Sequence, residues 1–262
     1  MVPAGATSDL GLAAPYFLKW DDAEYGLRAG RTGYTVRTLP GFAVHHPTWA
    51  TKGTSSSWSS WPLHRNRIAT AAAYGGGRGV LADSFVHQVK HVLSLQYATA
   101  ELWNAALAEA LDGPGWLDDD LTSVRPRAQA LLDDAPQTPV VALPTPSARP
   151  AAGGTPVPAR KAALRAVVGL VRPAATGGGS SVAALAGPSA FGWTDGLGRD
   201  AVVFDDGSAP LVRDPRRARR ALARILLLHA RAAVRWGALR RAYARALPAS
   251  SSIEAWRGRF DA

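Results

Sequence analysis

The sequence predicts an α/β chain that is mostly helical, with a helical C-terminal region carrying one small β-hairpin. Three observations predict it. Val86, Val89, Leu93, Tyr97, Ala100, Trp103, Leu107 and Leu111 recur at three- and four-residue spacing. Ile225, Leu228, Ala232, Trp236, Leu239 and Tyr243 repeat that spacing behind Asp214-Pro215, a strong helix start. Strand-like runs are short. The clearest pairs Ala201–Phe204 with Leu211-Val212 across a turn, Asp205-Asp206-Gly207-Ser208.

The chain has 262 residues, of which 47% are hydrophobic. That suffices for one large domain or two small ones. A net charge of +10 and a pI near 10.6 imply anionic company. The absence of cysteine excludes disulfides and thiolate metal sites. The N-terminus shows no secretory pattern and no apolar run reaches the roughly 18 residues a bilayer needs. The expectation is a soluble or peripheral protein made in the cytoplasm.

In chain order, residues 1–14 read as a loop and Tyr16–Trp20 as a short strand. Asp21 or Asp22 starts a helix that stops at Gly30–Gly33. Asp21 with Glu24 resembles a capping box. Tyr34–Leu39 and Phe42–His45 read as strands. A polar loop, 51–60, leads to a helix carrying His64, Arg65, Asn66 and Arg67, ended by Gly75-Gly76-Gly77. Asp83 opens one long helix to Leu111, closed by Gly113-Pro114-Gly115. A further helix covers Leu121–Leu132. Residues 135–158 read as linker, 160–171 as a short basic helix and 174–190 as flexible. The last helix reaches about Ala246, with arginines crowding its other faces. The expected divisions are 1–74, 75–134, 135–190 and 191–262.

Trp20-Asp21-Asp22 is the first candidate for chemistry. Asp21 and Asp22 can serve the helix as a cap and first-turn acids. They can also supply a general base, a role common where carboxylates adjoin. Spacing alone favours the cap. His45 and His46 follow a strand, so their side chains diverge and one at most faces a site. Asp118-Asp119-Asp120 reads as a solvated cap between helices. The glycine runs at 75–79 and 177–179 lack the Lys-Ser/Thr ending of a phosphate-binding loop. The arginine helix reads as an amphipathic helix with solvated charge, able to attract anionic lipid.

The residues add a resemblance that spacing does not. Phe17 to Ala29, Gly33-Tyr34, Thr38-Leu39-Pro40-Gly41, His46 with Trp49, and Arg65-Asn66-Arg67 resemble the second half of the catalytic domain of family 2 glycosyltransferases. They are most similar to the bacterial galactofuranosyltransferases that build mycobacterial-type cell-wall galactan. Leu111–Pro114, Asp206-Gly207-Ser208 and Arg213-Asp214-Pro215 resemble the polymerising branch. The resemblance implies the C-terminal remnant of a GT-A fold, Rossmann-like, followed by a helical domain.

It also implies inverting transfer from UDP-galactofuranose to a lipid-linked galactan acceptor, at the inner face of the cell membrane. Nucleic acid is not an implied partner, and a homo-oligomer is allowed. Asp22 is implied as the base, with Asp21 beside it. His46 is implied as a ligand of a divalent metal, Mn²⁺ or Mg²⁺, and Trp20 and Trp49 as sugar-facing aromatics. The upstream nucleotide-binding half of such enzymes has no counterpart in the sequence. A truncated or split transferase is therefore expected, inactive until an N-terminal half joins it. The alternative is a non-catalytic basic helical module that docks to a partner chain or an anionic membrane.

Overall fold

The computed structural model describes residues 5–35, 37, 40–41, 57–134, 159–173, 181–188 and 191–260. The longest element, α9 (Pro215–Ser250, numbered below in chain order), has 36 residues and a length of about 54 Å. Asp214 caps it by accepting from the Arg216 and Arg217 amides at 2.9 Å, and Pro215 occupies the first turn. The predicted stripe, Ile225, Leu228, Ala232, Trp236, Leu239 and Tyr243, is buried throughout and extends to Leu247. The helix continues through Pro248, past its expected end.

Among the described residues seven helices come first in the chain. They are α1 (Ala6–Leu10), α2 (Asp21–Arg31), α3 (Ser60–Ala73), α4 (Gly79–Leu93), α5 (Tyr97–Asp112), α6 (Val124–Asp133) and α7 (Ala159–Gly169). Between α5 and α6 lie two 3-10 turns, Pro114–Asp118 and Leu121–Ser123. Asp120 caps the second turn, while Asp119 pairs with Arg127. This segment is thus a cap and ion-pair region, as its position between helices suggests. Helices α3, α4 and α5 pack on α9 and α3 packs along α5. One core cluster joins Ile68, Leu107, Leu111 and Trp116 to the C-terminal half of the α9 stripe. A second joins Val92, Leu95, Tyr97 and Val202 to its N-terminal half.

The sheet is small and mixed. β1 (Val182–Leu185) runs parallel to β2 (Ala201–Phe204), with Val182 opposite Ala201. A short helix, α8 (Trp193–Gly196), lies in the crossover. β2 pairs antiparallel with β3 (Leu211–Val212), Ala201 opposite Val212, which is the predicted hairpin. β1 falls where a flexible segment is expected, because its run Val-Ala-Ala-Leu is too short to show a period. A short terminal helix, α10 (Ile253–Phe260), completes the chain. The described part is therefore mostly helical with a three-stranded mixed sheet.

Three local expectations are corrected. Residues 6–10 form α1 rather than loop. Tyr16–Trp20 is no strand, since Phe17, Lys19 and Trp20 have φ of 66°, 70° and 69°. The single helix expected from Asp83 to Leu111 is two, α4 and α5, parted at Ser94-Leu95-Gln96. There the Gln96 amide bonds the His91 carbonyl at 2.8 Å and the Leu95 amide that of Val92 at 3.2 Å. This is a Schellman ending with leucine, φ 69°, where glycine is usual. Leu95 is buried in the second cluster, which offsets the left-handed cost of about 1–2 kcal/mol. The strands expected within 34–45 and the linker at 135–158 lie largely or wholly outside the described residues.

A polar knot sits between α3, α4, α5 and α9. Ser84 Oγ lies 3.1 Å from both His64 Nε2 and His229 Nε2. His64 stacks on Trp103 with ring centroids 4.0 Å apart. Burial holds the His64 pKa well below the usual imidazole range. Arg67 and the imidazoles of His229, His91 and His87 push the same way. Burial also lowers His229 and pushes His91 down to about 4. An unfolded chain protonates these imidazoles near pH 6.5, so below that pH it binds protons the folded chain refuses. Stability is full above about pH 6.5 and falls as pH drops toward 4. Denaturant melts between about pH 7.5 and 5 should show unfolding free energy falling by up to about 1.4 kcal/mol per pH unit for each imidazole. His64→Gln should flatten that slope.

Candidate functional site

The acid pair stands at the head of α2 on an unusual mount. Trp20 is the residue before the helix and adopts the left-handed conformation (φ 69°, ψ −5°). Three left-handed non-glycine residues within four positions cost about 1–3 kcal/mol each. Such strain persists only where the surroundings over-determine it.

Here the surroundings are specific. Asn66, on α3 and fully buried, donates from Nδ2 to the carbonyls of Leu18 (2.9 Å), Lys19 (3.0 Å) and Tyr16 (3.4 Å). Tyr16 is wholly buried and its hydroxyl bonds the Thr70 hydroxyl at 3.0 Å. Trp20 is half-buried against the main core cluster. The loop is thus clamped to α3 along its length.

The capping box expected from Asp21 and Glu24 does not form. No side chain caps α2, and the Glu24 amide bonds the Trp20 carbonyl at 2.8 Å. The Glu24 carboxylate turns inward instead and is fully buried. It takes a bidentate contact from Arg28, at 3.1 and 2.8 Å, and a hydrogen bond from the Tyr74 hydroxyl. Arg28 also donates to the Leu10 and Leu12 carbonyls, which ties α1 to α2. Burial, with Glu24 beside it, pushes the Tyr74 phenol well up. Of the three acids in the first turn, Glu24 is therefore an anchor.

Asp21 and Asp22 are left for other work. Asp21 is half-buried and Asp22 exposed, with Oδ1 accepting only the neighbouring Ala23 amide, at 2.7 Å. A clamped backbone bearing an outward carboxylate can hold a general base in a fixed direction. His46 and Trp49 lie outside the described residues, so their relation to Asp22 is not described. Among the described residues no three of His, Asp and Glu gather as metal ligands. They do not by themselves compose a metal centre.

The neighbouring Arg65 is structural. Its guanidinium lies 3.8 Å from the Trp116 ring centre and 4.6 Å from that of Trp61, and meets Glu109 at 3.2 Å. Asn66 is the supporting residue that spacing does not reveal. The resemblance includes it within Arg65-Asn66-Arg67, but its supporting role shows only once it is seen buried on α3.

Comparison with known proteins agrees with the class that the acid-pair motif suggests. The model of the family "Galactofuranosyltransferase-2, domain 3" matches residues 80–177, the stretch from α4 through α7. The chain is a partial homologue of galactofuranosyltransferases. Galactofuranosyltransferase GlfT2 of Mycolicibacterium smegmatis is 38% identical over 143 residues, 54% of this chain and 22% of that protein. GlfT2 of Mycobacterium tuberculosis is 34% identical over 155 residues, 57% of this chain and 24% of that protein. The matched part thus spans less than a quarter of the length of these curated relatives.

Asn66→Ala should release the clamp. It removes the hydrogen bonds to the Tyr16, Leu18 and Lys19 carbonyls, the last on a left-handed residue, and should cost about 1–3 kcal/mol. Hydrogen exchange should show the Glu24 amide exchanging faster while amides in the middle of α9 keep their protection. Unchanged exchange at Glu24 would contradict the clamp.

Proposed function

We propose that this chain carries the acceptor-activating part of an inverting galactofuranosyltransferase. The single observation behind this is the strained, clamped loop that holds Asp22 outward at the head of α2. The partial homology to GlfT2 supplies the reaction class. In this reading Asp22 takes the proton from an acceptor hydroxyl as that oxygen attacks the anomeric carbon of UDP-galactofuranose, and UDP departs. Asp21 adds negative charge at the same helix end. Trp20 and Trp49 flank the sugars. His46 is the proposed protein ligand of a divalent metal, Mn²⁺ or Mg²⁺, whose chemistry is neutralisation of the leaving diphosphate. A nucleotide-binding half with the uridine pocket completes the enzyme. The acceptor is a lipid-linked galactan at the cytoplasmic face of the membrane. The GT-A ancestry of residues 1–74 belongs to this proposal.

Asp22→Asn tests it in the enzyme assembled with its nucleotide-binding half, Mn²⁺, UDP-galactofuranose and a galactan acceptor. Turnover should fall by about 10²–10⁴-fold, with thermal stability unchanged. Wild-type turnover in the variant would remove Asp22 from the reaction.

A second reading, docking to an anionic membrane, is favoured by α7. Among its described side chains this helix buries two alanines, Ala162 and Ala166. Leu164, Val167, Val168 and Val171 are 64%, 52%, 47% and 77% exposed. At 100° per residue Leu164, Val167 and Val168 share one face, roughly opposite the buried alanines, with Arg160 at its N-terminal end, and Val171 follows in the turn after the helix. Lys161, Arg165 and Arg172 run along its edge. Arg213 holds the end of α7 by its backbone, through the carbonyls of Gly169, Arg172 and Pro173 at 2.8–3.0 Å. An apolar strip with a basic border suits a headgroup interface. Among the described residues no helix is long and apolar enough to cross a membrane.

The arginine helix α9 fits this role less well, because Arg217 is buried and paired with Glu101. Replacing Leu164 and Val168 with Gln should lower co-sedimentation with phosphatidylglycerol vesicles at least several-fold. Replacing Arg216 and Arg220 should matter less.

A further inference from the structure

A cluster of arginines lies at the other end of α2, about 15 Å along the helix from the acid pair. The C-termini of α2 and α3 meet the middle of α9 around a cavity of about 440 Å³. Its lining is Arg31, Arg240 and Arg241 together with Ala72, Ala73, Gly75, Gly237 and Ala244. Three guanidinium groups therefore face a space otherwise walled by residues no larger than alanine.

Gly75 marks the point where two of them converge, while Arg241 Nη1 would lie 3.8 Å from a Cβ on Gly237. A Cβ on Gly75 would sit 3.4 Å from Arg31 Nη2 and 3.5 Å from Arg240 Nη2. The Gly75 φ of +84° also disfavours a side chain. Arg31 is held in place, with Nη2 donating to the Tyr74 carbonyl at 2.6 Å and the guanidinium 4.9 Å from the centre of the Tyr74 ring. None of the three arginines has a carboxylate partner among the described residues. Asp261 is the one acidic side chain of the sequence outside them. Asp9 and Glu254 line a neighbouring cavity that shares Arg31, and Asp9 already accepts from the Tyr34 hydroxyl at 2.5 Å.

Converging cations without a counter-ion repel one another, and the C-terminal dipole of α2 offsets only part of that. Arginine forks match phosphate oxygens by paired hydrogen bonds. We propose that Arg31, Arg240 and Arg241 form a binding site for a phosphate or diphosphate group, with Gly75 leaving the room it occupies. The group can belong to a soluble phosphate ester or to a lipid headgroup. The proposal does not depend on the role of Asp22.

Calorimetric titration of the full chain with inorganic pyrophosphate tests the soluble source. Co-sedimentation with phosphatidylcholine vesicles containing phosphatidic acid tests the lipid source. Arg240→Gln with Arg241→Gln should weaken binding tenfold or more. Arg220→Gln with Arg224→Gln makes the same change in net charge elsewhere on α9 and should leave binding within about twofold of wild type. Gly75→Asp places a carboxylate between Arg31 and Arg240, and should abolish binding by occupying the site. Aspartate tolerates left-handed backbone better than most residues, so this variant should stay folded by far-UV circular dichroism, with a melting temperature lowered only by the left-handed strain of that one residue. Pyrophosphate binding lost in these variants supports a soluble phosphate, and vesicle binding alone lost in them supports a headgroup. Binding of neither probe, or binding indifferent to Gly75→Asp and to the Arg240/Arg241 pair, overturns the site.

Discussion

The Trp116 ring is the point through which the N-terminal segment and three of the core helices are joined. Tyr16 stacks on it at 5.8 Å, and the Arg65 guanidinium lies 3.8 Å from its centre. Its indole donates to the Tyr243 hydroxyl at 2.9 Å, and that hydroxyl donates toward the Ala110 and Gly113 carbonyls. One aromatic thus links the N-terminal segment, α3, the end of α5 and α9. The contacts are mutually dependent. Arg65 is almost wholly buried, and burial lowers its pKa while Glu109 opposes the shift. An unpaired charge in that place would cost about 3–5 kcal/mol. The rings above it exclude water and Glu109 neutralises it, so neither can be lost alone.

The acid pair inherits its position from this junction. Arg65 and Asn66 are consecutive on α3, so fixing one fixes the start of the other. Arg65 Nε also donates to Asn66 Oδ1 at 3.2 Å, which turns the Asn66 amide nitrogen toward the loop. Asn66 then holds the three carbonyls whose residues lead into Asp21. From the other side, Glu24 is tied to Arg28 and Tyr74. Asp22 stands on a segment restrained by both α3 and α2, and its exposure is a result of what the neighbouring residues bury.

Much of the helical architecture was legible in the sequence, for a physical reason. The α9 stripe, the Asp214-Pro215 start, the Gly33 ending of α2 and the 201–212 hairpin each rest on local chemistry that a sequence displays. Gly33, φ 91°, closes α2 with the Tyr34 amide on the Ala29 carbonyl at 3.0 Å. The same ending at Leu95 was invisible, because burial of a leucine compensates for the missing glycine. The loop at 16–20 misled for a related reason. Its apolar residues suit a strand, and only Asn66, some fifty residues away, selects the left-handed path. For Asp21 and Asp22, the spacing suggested a cap, whereas the structure gives no side-chain cap and employs Glu24 as anchor. The motif resemblance located the acids, but it could not say which of the three is outward.

The arginine excess also divides once partners are known. Arg28, Arg65, Arg213 and Arg217 are buried and each is paired with a carboxylate. They tie helices and sheet together, and they contribute nothing to the outward field. Among the described residues most of the remaining positive charge is exposed or half-exposed, where water screens much of it. At Arg31, Arg240 and Arg241 the guanidiniums share a concave space instead of separate patches of solvent. Field lines concentrate in a cleft and spread from a convex helix face. A net charge of +10 therefore does not by itself make α9 an anion-binding surface. What distinguishes the cavity is convergence, and convergence requires the α2 and α3 ends to be held against α9 by the same packing that mounts the acid pair.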